Sequence, residues 1–336
     1  MIAGTPVARW DWGRDTDGVD PVMDGLRDLI TAYCVLASHR LAAGTPRIHV
    51  AVLQWGAPNN RLFEGDLVAP EGLEPAEAAE LLARDVRAAM RPGDIGAVQT
   101  QVHCSGTLAG RGAGELVHGM FLLGSSAYGD FTSVDLVTFS DVWMPYDLRG
   151  RAQEAVCAAN RPRLAAALAE IAEALGSETD PDDATWLGIP TESGVENHFE
   201  DDDGTPSDVW GRFEIPYRNG IFGQTPKFTA GYGRQASGPV RYVPVVGARE
   251  VLGYLWASDA EGAASFEPRD AADLDAYRAG LVWLERLQDA YGRGLAPRAA
   301  LAELGGSPGD PVAGRPEPGA AVEVAEFGEL ALLALE

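Results

Sequence analysis

The spacing of apolar residues predicts helices and strands in the first half of the chain. Residues 22–43 carry apolar side chains at three- and four-residue steps and stop at Gly44, which predicts an amphipathic helix. Residues 47–55 are apolar on both alternating faces, which is typical of a buried strand. Further amphipathic patterns begin at Pro75 and span residues 153–175. These patterns predict three helices and one buried strand.

Most of the chain between the second and third predicted helices has the residue pattern of β-strands. Residues 98–104 and 131–143 alternate apolar and polar positions, and residues 115–123 are apolar on both faces. Their connections are short, so the strands should pair antiparallel, because a parallel crossover needs a dozen or more residues. The polar segment around Asn59 and Asn60 is predicted to be a loop. We therefore expect an α+β fold, an antiparallel β-meander sheet with helices packed on one face.

The second half of the chain has a different pattern, which predicts a smaller α+β half. Residues 1–176 form the expected first domain. Residues 177–305 contain an acidic loop region, a β-hairpin at 241–256 and a long amphipathic helix from about residue 274 to 291. This part could share one sheet with the first half. Residues 306–336 combine a Pro/Gly linker with a C-terminal docking segment.

Charge and composition narrow the classes of partner. The chain has 336 residues with 26 Lys and Arg against 50 Asp and Glu, a formal net charge of −24. Nucleic acids and anionic membranes bind clustered Lys and Arg, so neither is expected as a partner. The N-terminus lacks a signal-peptide pattern, the apolar runs are too short to span a membrane, and the three cysteines have no CxxC spacing. We expect a cytoplasmic protein with no membrane partner.

Most common catalytic and nucleotide-binding motifs are absent from the sequence. There is no P-loop or HExxH motif, and the alternating Gly110, Gly112 and Gly114 are better explained by a turn than by a dinucleotide loop. The sequence therefore predicts no cofactor and favours a non-enzymatic protein.

One short segment nevertheless carries residue types that bind metals or exchange protons. If residues 195–202 form a strand, Glu196, His198, Glu200 and Asp202 lie on one face, because side chains alternate with period two. An imidazole with several carboxylates could bind Mn, Fe or Zn, or could supply an acid/base pair for a hydrolase. The alternative is a solvated acidic hairpin tip, which the neighbouring Gly204 favours.

A second candidate site is the polar face of the predicted meander. Gln99, Gln101 and His103 alternate with apolar positions, and His118 lies on the neighbouring strand. Such a row could line a cleft for a small molecule, although a solvated sheet face has the same pattern.

The acidic clusters support a third interpretation, a binding surface for a basic protein. Residues 177–208 concentrate much of the negative charge, and electrostatic complementarity would steer a basic partner to them. An immunity-type inhibitor that neutralises a cationic toxin enzyme would belong to this class. The candidate surface comprises Glu178, Asp180, Asp182, Asp183, Asp201, Asp203 and Asp208.

Overall fold

The chain forms two compact units, Met1–Glu214 and Ile215–Glu336. The computed structural model describes residues 1–70, 72–109, 116–200, 204–215, 217, 231–247, 250–269, 272–317 and 319–334. Each unit combines helices with antiparallel strands, which confirms the predicted α+β class. None of the helices in these residues has the length and apolar character needed to cross a membrane.

A seven-stranded antiparallel sheet organises the first unit. The elements in order are β1 (Ala8–Asp15), α1 (Pro21–Ser38), β2 (Arg47–Gln54), β3 (Ala57–Val68), α2 (Pro75–Ala89), β4 (Ile95–Thr107), β5 (Leu116–Tyr128), β6 (Phe131–Thr138), α3 (Glu154–Leu175), β7 (Asp180–Pro181), β8 (Ile189–Thr191) and β9 (Gly194–Glu196). The strand order in the large sheet is β3-β2-β4-β5-β6-β1-β7. The strands β8 and β9 form a separate two-stranded ribbon, and a π-helical turn at Trp210–Glu214 follows it in the chain.

The helices lie on one face of this sheet, as the alternation along β4 predicts. Val98, Val102 and Cys104 are buried on the side covered by α1, and α2 and α3 pack against α1 in turn. Close approach of α1 is possible at Gly25, whose carbonyl accepts a 2.7 Å hydrogen bond from the Ser125 hydroxyl. A Cβ at Gly25 would lie 3.3 Å from that hydroxyl oxygen. The small residue therefore sets the distance between helix and sheet.

Two strand predictions in the first unit are wrong. The segment predicted as a loop around Asn59 and Asn60 belongs to β3, an edge strand whose exposed polar side chains hide the strand signal. The strand predicted to reach Trp143 ends at Thr138. The chain turns there because Trp143 is buried, with its indole N–H donating to the Thr138 hydroxyl at 2.9 Å.

The first unit extends past residue 176, the end of the predicted first domain. Asp180 of β7 pairs with Asp11 of β1, which adds this segment to the edge of the large sheet. Thr185 then donates a 2.8 Å hydrogen bond from its hydroxyl to the Val7 carbonyl. Residues 177–214 are therefore bound to the first sheet, and the division between units falls at Glu214.

The second unit has its own sheet, built on the predicted hairpin, and its own core. The elements are β10 (Val240–Val246), β11 (Val251–Ser258), β12 (Ala263–Pro268), α4 (Asp273–Gly292), α5 (Pro297–Leu304), β13 (Arg315–Pro316), β14 (Val322–Val324) and α6 (Phe327–Ala334). Strands β12, β11 and β10 are consecutive neighbours, and the short strands β13 and β14 both pair with β10. Trp283, Leu255 and Phe266 are buried in the core of this unit.

The three cysteines are unpaired and all lie in the first unit. Cys34 on α1 is exposed, whereas Cys104 on β4 and Cys157 on α3 are buried. Burial raises the pKa of the Cys104 thiol to about 12. The two buried thiols are therefore packing groups rather than nucleophiles, because the thiolate is the reactive form.

Candidate functional site

A cleft of about 560 Å³ lies on the first unit, within the segment that follows α3. Its walls combine three aromatic rings with one histidine and one arginine. The lining residues are Ala184, Thr185, Trp186, His198, Phe199, Ser207, Val209, Arg212 and Phe213. All of them fall between residues 184 and 213, so one short stretch of chain builds the cleft.

A tight turn holds Trp186 at the edge of the cleft. The Thr185 hydroxyl accepts hydrogen bonds from the N–H groups of Leu187 and Gly188 at 3.1 and 3.0 Å. The same hydroxyl donates to the Val7 carbonyl, which fixes the turn to the large sheet. Trp186 is 72% exposed even though its backbone is fixed. A rigid turn that presents a large aromatic side chain to solvent suits binding more than packing.

Side-chain and backbone hydrogen bonds also fix the wall that carries His198. The Nε2 atom of His198 donates to the Thr185 carbonyl at 2.8 Å, and the His198 carbonyl accepts from the Ser207 N–H at 3.0 Å. Asn197 bonds both the N–H and the carbonyl of Tyr146, at 3.1 and 2.9 Å. The cleft is therefore held in shape by bonds to residues distant in sequence.

The aromatic rings and the charged groups of the cleft lie close together. Trp186 and Phe213 have ring centroids 4.9 Å apart, and Phe199 is 51% exposed. The Arg212 guanidinium lies 5.7 Å from the Phe213 centroid, and its Nη1 atom is 3.5 Å from Oε1 of Glu200. This part of the cleft can bind a cation, because a ring face and a carboxylate both attract positive charge.

The segment that builds the cleft is strongly acidic. Residues 177–214 contain twelve Asp and Glu and a single Arg, which is Arg212, so 1 − 12 gives a formal charge of −11. That is nearly half of the −24 of the whole chain, in 38 of 336 residues. The field at the cleft mouth therefore favours positively charged groups.

The described residues of the predicted metal site are not arranged as metal ligands. Strand β9 ends at Glu196, so the continuous strand expected over 195–202 does not form. His198 is hydrogen-bonded to Thr185, Glu200 is paired with Arg212, and Asp202 lies outside the described residues. Among the residues described, no three His, Cys, Asp or Glu side chains gather so as to hold a metal ion.

The predicted ligand face of the meander lies on the side of the sheet opposite α1. Gln99, Gln101 and His103 are exposed on β4. His118 lies beside them, with its Nδ1 atom 3.1 Å from the Ser105 hydroxyl. These residues share one face, and their role in binding a small molecule stays a prediction.

The acidic residues of the predicted binding surface are exposed where they are described. Glu178, Asp180, Asp182 and Asp183 surround β7, and Asp208 accepts a 2.9 Å hydrogen bond from the Gly211 N–H. That bond begins the π-helical turn which carries Arg212 and Phe213. Two further members of the set, Asp201 and Asp203, lie outside the described residues.

Sequence reasoning placed His198 in a candidate site but did not bring together the aromatic side chains that line the cleft. Trp186, Phe199 and Phe213 are separated along the chain and follow no helical or strand period. One signal was available, since Trp186 stands in a segment otherwise rich in Asp and Thr. Comparison of the chain with protein-family models, curated proteins and solved structures finds no match in any of the three.

Proposed function

We propose that this protein binds a basic protein partner, using the aromatic cleft and the acidic residues around it. The observation that carries the proposal is Trp186, a fixed and 72% exposed tryptophan in the most acidic stretch of the chain. Exposed tryptophans at the centre of a contact surface often contribute most of the binding energy. A basic toxin enzyme, neutralised by an inhibitor of the immunity type, is one partner of this class.

Two kinds of force would act in sequence during binding. The −11 charge of residues 177–214 would accelerate the encounter with a basic surface. Trp186, Phe199 and Phe213 would then bury apolar area once the partner is seated. We further propose a cytoplasmic location, which the three unpaired cysteines support.

The proposal can be tested with the full chain and labelled hexa-arginine and hexa-lysine peptides as probes. We expect the wild-type protein to bind them with an affinity that falls as salt is raised. Trp186→Ala should weaken binding about 30-fold, the effect of losing a hot-spot contribution of about 2 kcal/mol. Fluorescence anisotropy at two salt concentrations measures both effects.

Trp55 supplies a matched control for that substitution. It is 69% exposed on the turn between β2 and β3, and it does not line the cleft. Trp55→Ala should bind the peptides as the wild type does. Equal losses in the two variants, or wild-type binding by Trp186→Ala, would contradict a function at the cleft.

A further inference from the structure

Arg212 has a position within the cleft that sets it apart from the other charged residues of its segment. It is the only lysine or arginine between residues 177 and 214. Its guanidinium lies over the Phe213 ring and beside the Glu200 carboxylate. These two groups are the ones that a cationic side chain from a partner would contact. The chain therefore fills its own cation-binding position with one of its own side chains.

We propose that Arg212 is an internal competitor, which the partner displaces by inserting an arginine side chain against Phe213 and Glu200. The inference rests on the proposed function, because it names the group that the cleft receives. Displacement exchanges one guanidinium for another on the same ring and carboxylate. The affinity for the partner is then lowered by the free energy of the contacts that Arg212 gives up when it is displaced.

The contacts of Arg212 are weak enough to be exchanged. Its side chain is 61% exposed and that of Glu200 is 51% exposed, so water and salt screen the ion pair. The pair distance of 3.5 Å is long for a charge-assisted hydrogen bond. The Asp208 carboxylate accepts a hydrogen bond from the Gly211 N–H, which fixes the start of the turn independently of the Arg212 side chain. The cleft can therefore open without unfolding of the turn.

The chemistry of the wall favours a guanidinium over an ammonium group. A guanidinium is planar, stacks on an aromatic ring and presents a fork of N–H donors to a carboxylate. The ammonium group of lysine is more strongly hydrated and does not stack in this way. Phe213 offers its ring to the planar group, and Trp186 packs against that ring with 4.9 Å between the centroids.

The test compares hexa-arginine affinity between wild type, Arg212→Gln and a control with the same change of charge. Arg84→Gln on α2 is that control, because Arg84 is 64% exposed and pairs with Glu80 at 3.6 Å. We expect Arg212→Gln to bind hexa-arginine about 3- to 10-fold more tightly than Arg84→Gln, as the competitor is removed. The gain for hexa-lysine should be smaller.

The outcomes separate this inference from the function on which it rests. If Arg212→Gln binds hexa-arginine no better than Arg84→Gln, while Trp186→Ala still loses binding, the competitor is refuted and the proposed function stands. Weaker binding by Arg212→Gln would show that Arg212 itself contacts the partner, and this result would also refute its role as a competitor. If neither wild type nor Arg212→Gln binds either peptide, both proposals fail. Thermal melts confirm that the variants are folded.

Discussion

Asp135 shows how a single glycine makes room for a charge on the sheet. It lies on β6 opposite Gly124 of β5 on one side and Asp11 of β1 on the other. A Cβ at position 124 would stand 2.5 Å from Oδ1 of Asp135, so a glycine leaves space for the carboxylate. Burial raises the pKa of Asp135, against the opposing attraction of Arg9. Burial also raises the pKa of the neighbouring Asp11.

These pKa shifts predict that Asp135→Asn stabilises the first unit at neutral pH. An acid whose pKa is raised on folding favours the native state below its ordinary pKa of 3.8, and this contribution is lost as the pH rises through the raised value. Replacing the carboxylate should raise the free energy of unfolding by about 0.5 to 1 kcal/mol at pH 7. Urea denaturation at pH 7 and at acid pH measures this.

The gain from Asp135→Asn should shrink as the pH falls towards the ordinary pKa of an aspartate. Asp85→Asn, on the exposed side of α2, serves as the control and should change stability little at either pH. A variant less stable than wild type at pH 7 would mean that the attraction of Arg9 outweighs the effect of burial.

At the scale of elements, a buried ion pair joins α1 to β1. The Arg14 guanidinium donates to both carboxylate oxygens of Asp28, at 2.9 and 2.7 Å through its Nη2 atom and at 3.1 Å through Nε. Asp28 is 4% exposed, so its charge depends on that partner and on Arg27. Removing one member of a buried pair leaves the other charge without compensation.

Asp28→Ala should therefore lower the free energy of unfolding by about 3 kcal/mol. Arg14→Ala should have a smaller effect, because Asp28 keeps its hydrogen bond from Arg27, and the double variant should lose less than the sum, since the second substitution removes a charge that has already lost one partner. Chemical denaturation of the three variants measures the coupling. Glu77→Ala, exposed on α2, is the control, and strictly additive losses would show that the two side chains act independently.

The sequence predicted most of the longer elements that have a buried side, but it missed β1 and β12, which are also partly or largely buried, and the exposed edge strand β3. Strands β4 and β5 and all three helices of the first unit follow from apolar periodicity, because each buries one face or both. Strand β3 lies at an edge and carries Asn59 and Asn60, so its pattern is that of a loop. The acidic charge of the cleft segment was evident from the sequence. The meeting of Trp186 with Phe213 was not, since tertiary turns bring the two together.

At the scale of the whole molecule, each unit has its own buried tryptophans and its own sheet. Trp283 of the second unit is fully buried, donates to the Ala313 carbonyl at 2.8 Å and has the Arg286 guanidinium 4.5 Å above its ring. Trp143 of the first unit is equally buried and stacks on Phe121 at 5.4 Å. Separate cores predict separate unfolding transitions.

Trp283→Ala should lower the stability of the second unit by about 3 to 5 kcal/mol and leave the first unit unchanged. Trp143→Ala should have the converse effect. Scanning calorimetry of the full chain checks both, because each variant should shift one transition and not the other. A single transition that moves as a whole in both variants would show that the units unfold together.

The distribution of the cysteines provides a built-in probe of how often the first unit opens. The native chain presents one accessible thiol, Cys34, while Cys104 and Cys157 are shielded, and residues 215–336 contain no cysteine. The rate at which an alkylating reagent labels the two shielded thiols therefore measures how often the half with the cleft opens. No engineered label is needed, and motions of the other half contribute no signal of their own. A ligand that occupies the cleft should slow the labelling of these two thiols, and a tighter ligand should slow it more.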